Sequence, residues 1–287
     1  MNFLLVTKLL RVKDYLKNFI ILIPIFYAKR IFDYDLIQEL FIIFITLNLS
    51  ASIVYIFNDL VDLNNDIKDN YKKNRPLPSK KITKNQAYKI ILSLFITLTT
   101  ILLLKQNLEL IFFLSLYLIL NLFYSIYLKK LFLIDILCLT LFYIIRILLV
   151  IFYFNLEVSY WLITIIFFII ITVSLAKRYM DINNNIDNDT FKSLYQKKSL
   201  YIMIISSSVI SQFTYIFFSV DANTINKFGE DFVFSSIIFM LGFFRFLQAV
   251  KKGKYSDTVD LFSKDWQFIS ILVIYIFFNF NLIYLSS

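Results

Sequence analysis

Residues 36–66 read LIQELFIIFITLNLSASIVYIFNDLVDLNND, and the fold follows from how this stretch is divided. Its first part, 36 to 57, is predominantly apolar and long enough to cross the roughly 30 Å of bilayer hydrocarbon, for which about 20 helical residues suffice. Its last part sets Asp59, Asp62 and Asp66 three and four residues apart. If the helix runs on past the membrane, that spacing puts the three carboxylates on one face within about 60° of each other. A spanning helix that ends in three like charges is the pattern to explain.

Working outward, windows of the same apolar kind fall near 18 to 35, 86 to 104, 107 to 128, 131 to 154, 158 to 180, 199 to 220, 231 to 250 and 266 to 286. Together they predict nine transmembrane helices in a single all-α integral membrane domain over residues 1–287. The window 18 to 35 is the poorest, because Pro24 interrupts it and Lys29, Arg30, Asp33 and Asp35 shorten its apolar run. The composition agrees: 59% hydrophobic residues, 19% aromatic residues and a mean hydropathy of +0.73 cannot be covered by a water-facing surface of this size.

Basic residues set the orientation. With the N-terminus cytoplasmic, 22 of the 29 Lys and Arg residues fall in cytoplasmic segments, and the odd number of spans places the C-terminus outside. The net charge of +9 is then membrane topology with some attraction for anionic substrates, and nucleic acid is not implied as a partner. The start, residues 1–17, reads as a basic amphipathic helix lying on the inner leaflet, with Leu4, Leu5, Leu9, Leu10 and Leu16 facing lipid.

The chain has no histidine, a single cysteine (Cys138) and three glycines. Histidine bases, thiolate or imidazole metal sites and an internal disulfide are excluded, as are phosphate loops built from clustered glycines. Phosphate here must be held by side chains and metal.

The polar insertion from Asn58 to Asn85 carries the three aspartates, then Lys72, Lys73 and Arg75. Carboxylates that repel on one face call for a cation, and an oxygen-only donor set points to Mg²⁺, which takes few carboxylates and leaves room for substrate phosphate. The nearby cations suit further phosphate oxygens. Cations and carboxylates in one loop suggest a Mg²⁺-diphosphate, against the plainer reading of a solvated loop of mixed charge. A second cluster at 175 to 189 holds Lys177, Arg178 and Asp181 within about one helical turn, where positive-inside flanking charge is an equal explanation. Lys129 after Tyr124 and Tyr127 fits an ordinary interfacial anchor. Within the spans, Arg146 lies eleven residues after Asp135 and on the same side of its helix. The pair marks either a polar central cavity or structural pairing between helices, and in a transporter it would mark the ion path. Arg245, one turn from a span end, can snorkel.

On these residues the sequence resembles the UbiA superfamily of intramembrane prenyltransferases, whose first motif NDxxDxxxD is matched by Asn58, Asp59, Asp62 and Asp66. Within it, the order KNFIILIPIFYAK, NDLVDLNNDIKDNYKKNRPLPS, YSIYLKKLFLIDI, LAKRYMD and GFFRFLQAVKKGKYSD is similar to the decaprenyl-phosphate phosphoribosyltransferase branch over most of the chain. Departures are Asp69 and Asn70 where the family has His-Pro, Lys80 where it has Gly, and Asp181 where the branch has Glu. Aromatic-acceptor members carry a second DxxxD, whose fourth-residue position here is Asn185.

The resemblance implies a UbiA-type bundle in a bacterial cytoplasmic membrane, with its active-site cavity on the cytoplasmic side between loops 58–85 and 177–198. It implies Mg²⁺ on Asp59, Asp62 and Asp66, with Asn58, Lys72, Lys73 and Arg75 on diphosphate or sugar phosphate. Lys17, Tyr127, Lys129, Lys177, Arg178 and Asp181 are further substrate-binding candidates. The partners would be phosphoribosyl diphosphate and a polyprenyl phosphate, and a second copy of the chain is allowed. The alternative is a UbiA-type prenyltransferase moving a polyprenyl group from its diphosphate to an aromatic or other small acceptor.

Overall fold

The computed structural model describes residues 3–69, 72–183, 196–255 and 258–285. Asn70 and Asn185, which entered the sequence reading, lie outside them, as do residues 184–195 of the loop 177–198. The described residues are helical with no strand, and eight of their helices are long and apolar enough to cross a membrane. The chain divides into two compact units, Met1–Glu157 and Val158–Ser287.

The first unit begins differently from expectation. Residues 1–17 do not form one interfacial helix: α1 covers Phe3–Leu9 only, Arg11 turns into the left-handed region (φ 53°), and a 3-10 helix runs from Val12 to Ile21. Leu4 and Leu16 are exposed as expected, but Leu9 is fully buried against Ile56, Leu77, Ile82 and Ala87. The segment therefore joins the protein core, where its apolar area is worth as much as it is in lipid. Side chains tie it down further: Tyr15 and Ser52 hydroxyls meet at 2.7 Å, and Asn18 Nδ2 donates to Asn48 Oδ1 at 2.7 Å.

The window 18–35 is likewise no single helix. After the 3-10 run, α2 (Leu22–Tyr27) lasts six residues and the chain turns with Lys29 at φ 61°. Arg30 pairs with Asp33, and Asp33 accepts from the Leu36 amide at 3.1 Å to cap the next helix. The charges that made this window doubtful are the ones that build the turn.

Helix α3 (Tyr34–Val61) has 28 residues, about 42 Å at 1.5 Å per residue, so it outreaches the hydrocarbon and carries Asn58 and Asp59 to one end. Asp62, at φ −88° and ψ 1°, interrupts it, and α4 (Leu63–Asp66) resumes the turn. Thr83 and Gln86 form a reciprocal capping box that starts α5 (Lys84–Lys105). Asn107 caps α6 (Leu108–Ile126), accepting from the Leu110 amide at 2.7 Å, and α7 (Ile134–Tyr153) follows. Helix α3 is the buried one, packed by α5, α6 and the 3-10 segment, whereas α5 is mostly exposed. At the end of α3 remote from the aspartates, Glu39 accepts from Lys105 (2.6 Å) and Tyr153 (2.7 Å).

In the second unit α8 (Tyr160–Asn183) and α9 (Lys197–Val220) form the main pair. Small hydroxyl residues let them approach, with Thr172 donating to Ser207 at 2.9 Å. A short α10 (Ala222–Phe228) and a 3-10 turn lead to α11 (Ser235–Lys252), α12 (Thr258–Lys264) and α13 (Trp266–Phe280). Gly253 ends α11 at φ 62°, and a Cβ there would come within 2.8 Å of Asn183 Nδ2. Arg245 does not snorkel: its guanidinium grips Asp265 at 3.0 and 2.7 Å.

Candidate active site

The aspartates at the end of α3 are the centre of the first unit's polar cluster. Asp59 and Asp66 are 2% and 3% exposed, a degree of burial that ionised carboxylates tolerate only when paired. Arg75 Nη1 bridges them, at 3.2 Å from Asp59 and 3.0 Å from Asp66. Asp59 also pairs with Arg11, whose guanidinium lies over the Tyr55 ring at 5.1 Å. The break at Asp62 turns its carboxylate elsewhere: Lys129 Nζ binds both of its oxygens at 2.5 and 2.6 Å and reaches Asn58 Oδ1 at 3.3 Å. Burial holds the Asp66 carboxyl above the usual carboxylate range, with Arg75 and Lys72 pulling the other way.

The cluster therefore contains Asn58, Asp59, Asp62, Asp66, Arg75 and Lys129 of the residues expected from sequence. It also contains Arg11, which the sequence reading placed only among topological charges. Lys72 stands beside it, its amide donating to Asp69 at 2.9 Å and its ammonium 3.7 Å from the same carboxylate. Lys73 is exposed. Lys17 is not brought in: it pairs locally with Asp14 at 2.5 Å. Tyr127 is 61% exposed and stands apart from the cluster's contacts. In the second unit, Arg178 and Asp181 are buried and 3.6 Å apart, while Lys177 is exposed. Asp135 and Arg146, both buried, do not pair with each other.

Six carboxylate oxygens with no thiolate or imidazole form a hard donor set. Among the described residues no three acidic groups converge closely enough to enclose an ion by themselves. Two of them nevertheless share one cationic nitrogen of Arg75, and Mg²⁺ usually takes only one or two carboxylates alongside water and substrate phosphate. The donors fit such an ion, with Arg75, Arg11 and Lys129 balancing the charge around it. Chemically, the arrangement can hold a polyanion beside a divalent cation at the end of an apolar helix.

Comparison with known proteins places the fold and the family. Residues 19–272 match the UbiA prenyltransferase family. A UbiA homolog from Archaeoglobus fulgidus bound to DMAPP and Mg²⁺ superposes with a TM-score of 0.67 at 14% identity, over 98% of this chain and 99% of that one. The same homolog bound to GPP and Mg²⁺ gives 0.67 and 14%, over 97% and 99%. A structure concerned with digeranylgeranylglyceryl phosphate synthase in membranes gives 0.55 at 17%, over 97% and 94%. At these identities the likeness is one of fold. No curated protein sequence matches the chain.

Proposed function

The chain belongs to the UbiA prenyltransferase family, and on that premise we propose that it is a membrane-embedded, Mg²⁺-dependent transferase that moves 5-phosphoribose from phosphoribosyl diphosphate to a polyprenyl phosphate. The observation that carries a diphosphate-handling site is the bridging of Asp59 and Asp66 by Arg75 with Lys129 on Asp62. The phosphoribosyl branch is supported by the ordered segments around Lys17-Asn18, Lys129, Lys177-Arg178 and Arg245, and by the absence of the aspartate four residues after Asp181.

Mg²⁺ held by Asp59, Asp62 and Asp66 would supply charge neutralisation for the departing diphosphate. Arg75 and Arg11 would turn from carboxylate to diphosphate oxygens, with Lys72 and Lys73 reaching outer ones and Asn58 orienting the group. Lys129 would receive the acceptor phosphate. An oxygen of that phosphate attacks C1 of the ribose as the C1–oxygen bond to diphosphate breaks, through an oxocarbenium-like state. The acceptor is already anionic, so no proton need be removed, which suits a chain without histidine. The active site would face the cytoplasm of a bacterial inner membrane, with the N-terminus on that side.

A second reading is favoured by one finding: the A. fulgidus homolog's structures hold DMAPP or GPP with Mg²⁺. In this second reading the isoprenoid would be the donor and a small molecule the acceptor. Purified protein given labelled phosphoribosyl diphosphate and polyprenyl phosphate separates the two. Label in the lipid supports the first reading. Unlabelled lipid together with consumption of GPP would establish the second.

A further inference from the structure

Arg146 sits in the middle of the spanning helix α7 and is 4% exposed. A guanidinium cannot shed its proton in a protein, and a charge at that depth is costly unless something offsets it. What surrounds it is neutral. The Tyr117 and Tyr143 rings stand 5.0 and 4.9 Å from its central carbon, and Nη2 donates to the Tyr117 hydroxyl at 3.0 Å. Tyr55 is close enough to interact with it electrostatically. No carboxylate among the described residues pairs with it, and its buried Nε–H has no partner.

This cage adjoins the carboxylate cluster. Tyr55 lies four residues before Asp59 on α3, so the two share a face one turn apart. The Tyr55 ring also carries the guanidinium of Arg11, which pairs with Asp59. A polar line thus runs from Asp59 through Arg11 and Tyr55 to Arg146, inward from the end of α3. Cation–π contact and one neutral hydrogen bond stabilise the guanidinium without cancelling its charge. A structural role as glue between α6 and α7 would use these contacts alone and leave the net charge and the Nε–H unanswered.

The geometry points to Arg146 with Tyr117 and Tyr143 as an oxyanion subsite, about one turn deeper than the carboxylates, that takes a phosphate of the substrate. The identity of that phosphate rests on the phosphoribosyl reading: the donor carries a 5-phosphate beyond its diphosphate, and the acceptor carries a phosphate of its own. Either offers the two oxygens that a guanidinium edge binds in parallel.

Thermal melting of the full-length protein and of Arg146→Met is followed against phosphoribosyl diphosphate, a polyprenyl phosphate and inorganic phosphate, each with Mg²⁺. The subsite predicts that the variant inserts and melts no lower than wild type, because an uncompensated buried charge has been removed. It further predicts at least a tenfold loss of apparent affinity for the phosphate ligand, with Arg146→Lys restoring part of it. A loss confined to phosphoribosyl diphosphate assigns the 5-phosphate, and one confined to the lipid assigns the acceptor. A lower melting temperature or failed insertion of Arg146→Met, unchanged affinity in every arm, or a wild type that no phosphate stabilises would each overturn the subsite. The phosphoribosyl reading fails separately, when wild type transfers no ribose 5-phosphate, and inorganic phosphate still reports on Arg146 in that case.

Discussion

The two units treat buried acid in opposite ways. In the second, Asp265 accepts from two nitrogens of Arg245, the Tyr255 hydroxyl at 2.9 Å and the Phe268 amide at 2.9 Å, which it caps. These contacts fasten the segment after α11 to the start of α13, and the carboxyl falls to about 2. In the first unit, Asp59, Asp62 and Asp66 lean on three cations, Arg11 and Lys129 from remote parts of the chain and Arg75 from the loop that follows. Arg11, Arg75 and Lys129 keep 23, 32 and 14% of their side chains exposed. Exposure does not divide the two, since Arg245 is itself 19% exposed. The difference is that Asp265 also accepts from a hydroxyl and a helix-cap amide, whereas the contacts to the three aspartates come from cations that a phosphate could take over. The contrast separates a site from a fastening.

Substitution tests the contrast most sharply where its effect is largest. Asp59→Ala and Asp66→Ala should each lower Mg²⁺-dependent transfer by roughly 10² to 10³-fold, with membrane insertion intact and melting little changed. Turnover assays on detergent-purified protein check this, and full activity in both would remove the carboxylates from the chemistry. Asp265→Ala should do the reverse. Stability falls by about 3 to 5 kcal/mol, because Arg245 is stranded and a helix cap lost, while activity per folded molecule holds. Chemical denaturation compared with active-site titration reads both.

Acid sharpens the same contrast. The Asp265 carboxyl is depressed from 3.8 to about 2, so its stabilisation is complete above about pH 4 and disappears as pH falls toward 2. The stability gap between wild type and Asp265→Asn should narrow over that window. Asp66 is shifted the other way by burial, so what it contributes is lost as pH rises through its own titration. Asp66→Asn should therefore lose less stability at neutral pH than at acid pH, and melting curves against pH would show a slope of opposite sign.

The smallest effect expected is a gain. Lys80 holds a left-handed conformation, φ 58°, at the position where the family carries glycine. Lys80→Gly should relieve about 1 kcal/mol of strain, measurable as a modest rise in melting temperature. No rise would mean that the loop's other contacts set its shape.

The sequence revealed most of what depends on local pattern. Apolar windows marked the eight long helices, because these express helix periodicity along neighbouring residues. The spacing of the aspartates pointed to the right stretch, but the helix pauses at Asp62 and sends that carboxylate to Lys129, away from the Arg75 that Asp59 and Asp66 share. What depends on distant pairing was harder to see. Arg11 lies 48 residues from Asp59 and Lys129 lies 67 from Asp62. Arg11 looked like an ordinary basic residue flanking a membrane segment, and Lys129 entered as a substrate-binding candidate only through the family resemblance. The first window failed for a readable reason, since Lys29, Arg30 and Asp33 build a turn and a helix cap. Leu9 gave no such warning, because a leucine that faces lipid and one that faces protein obey the same periodicity.

The pause of α3 at Asp62 has a bearing on how such a sequence can change over generations. Of the residues between the aspartates, Val61, Asn64 and Asn65 are exposed and can change in kind, whereas Leu60 and Leu63 pack against the core around Leu9. What cannot change is how many there are. One inserted residue rotates everything downstream by about 100° and carries Asp66 away from Arg75, so the motif is preserved as a count before it is preserved as a spelling.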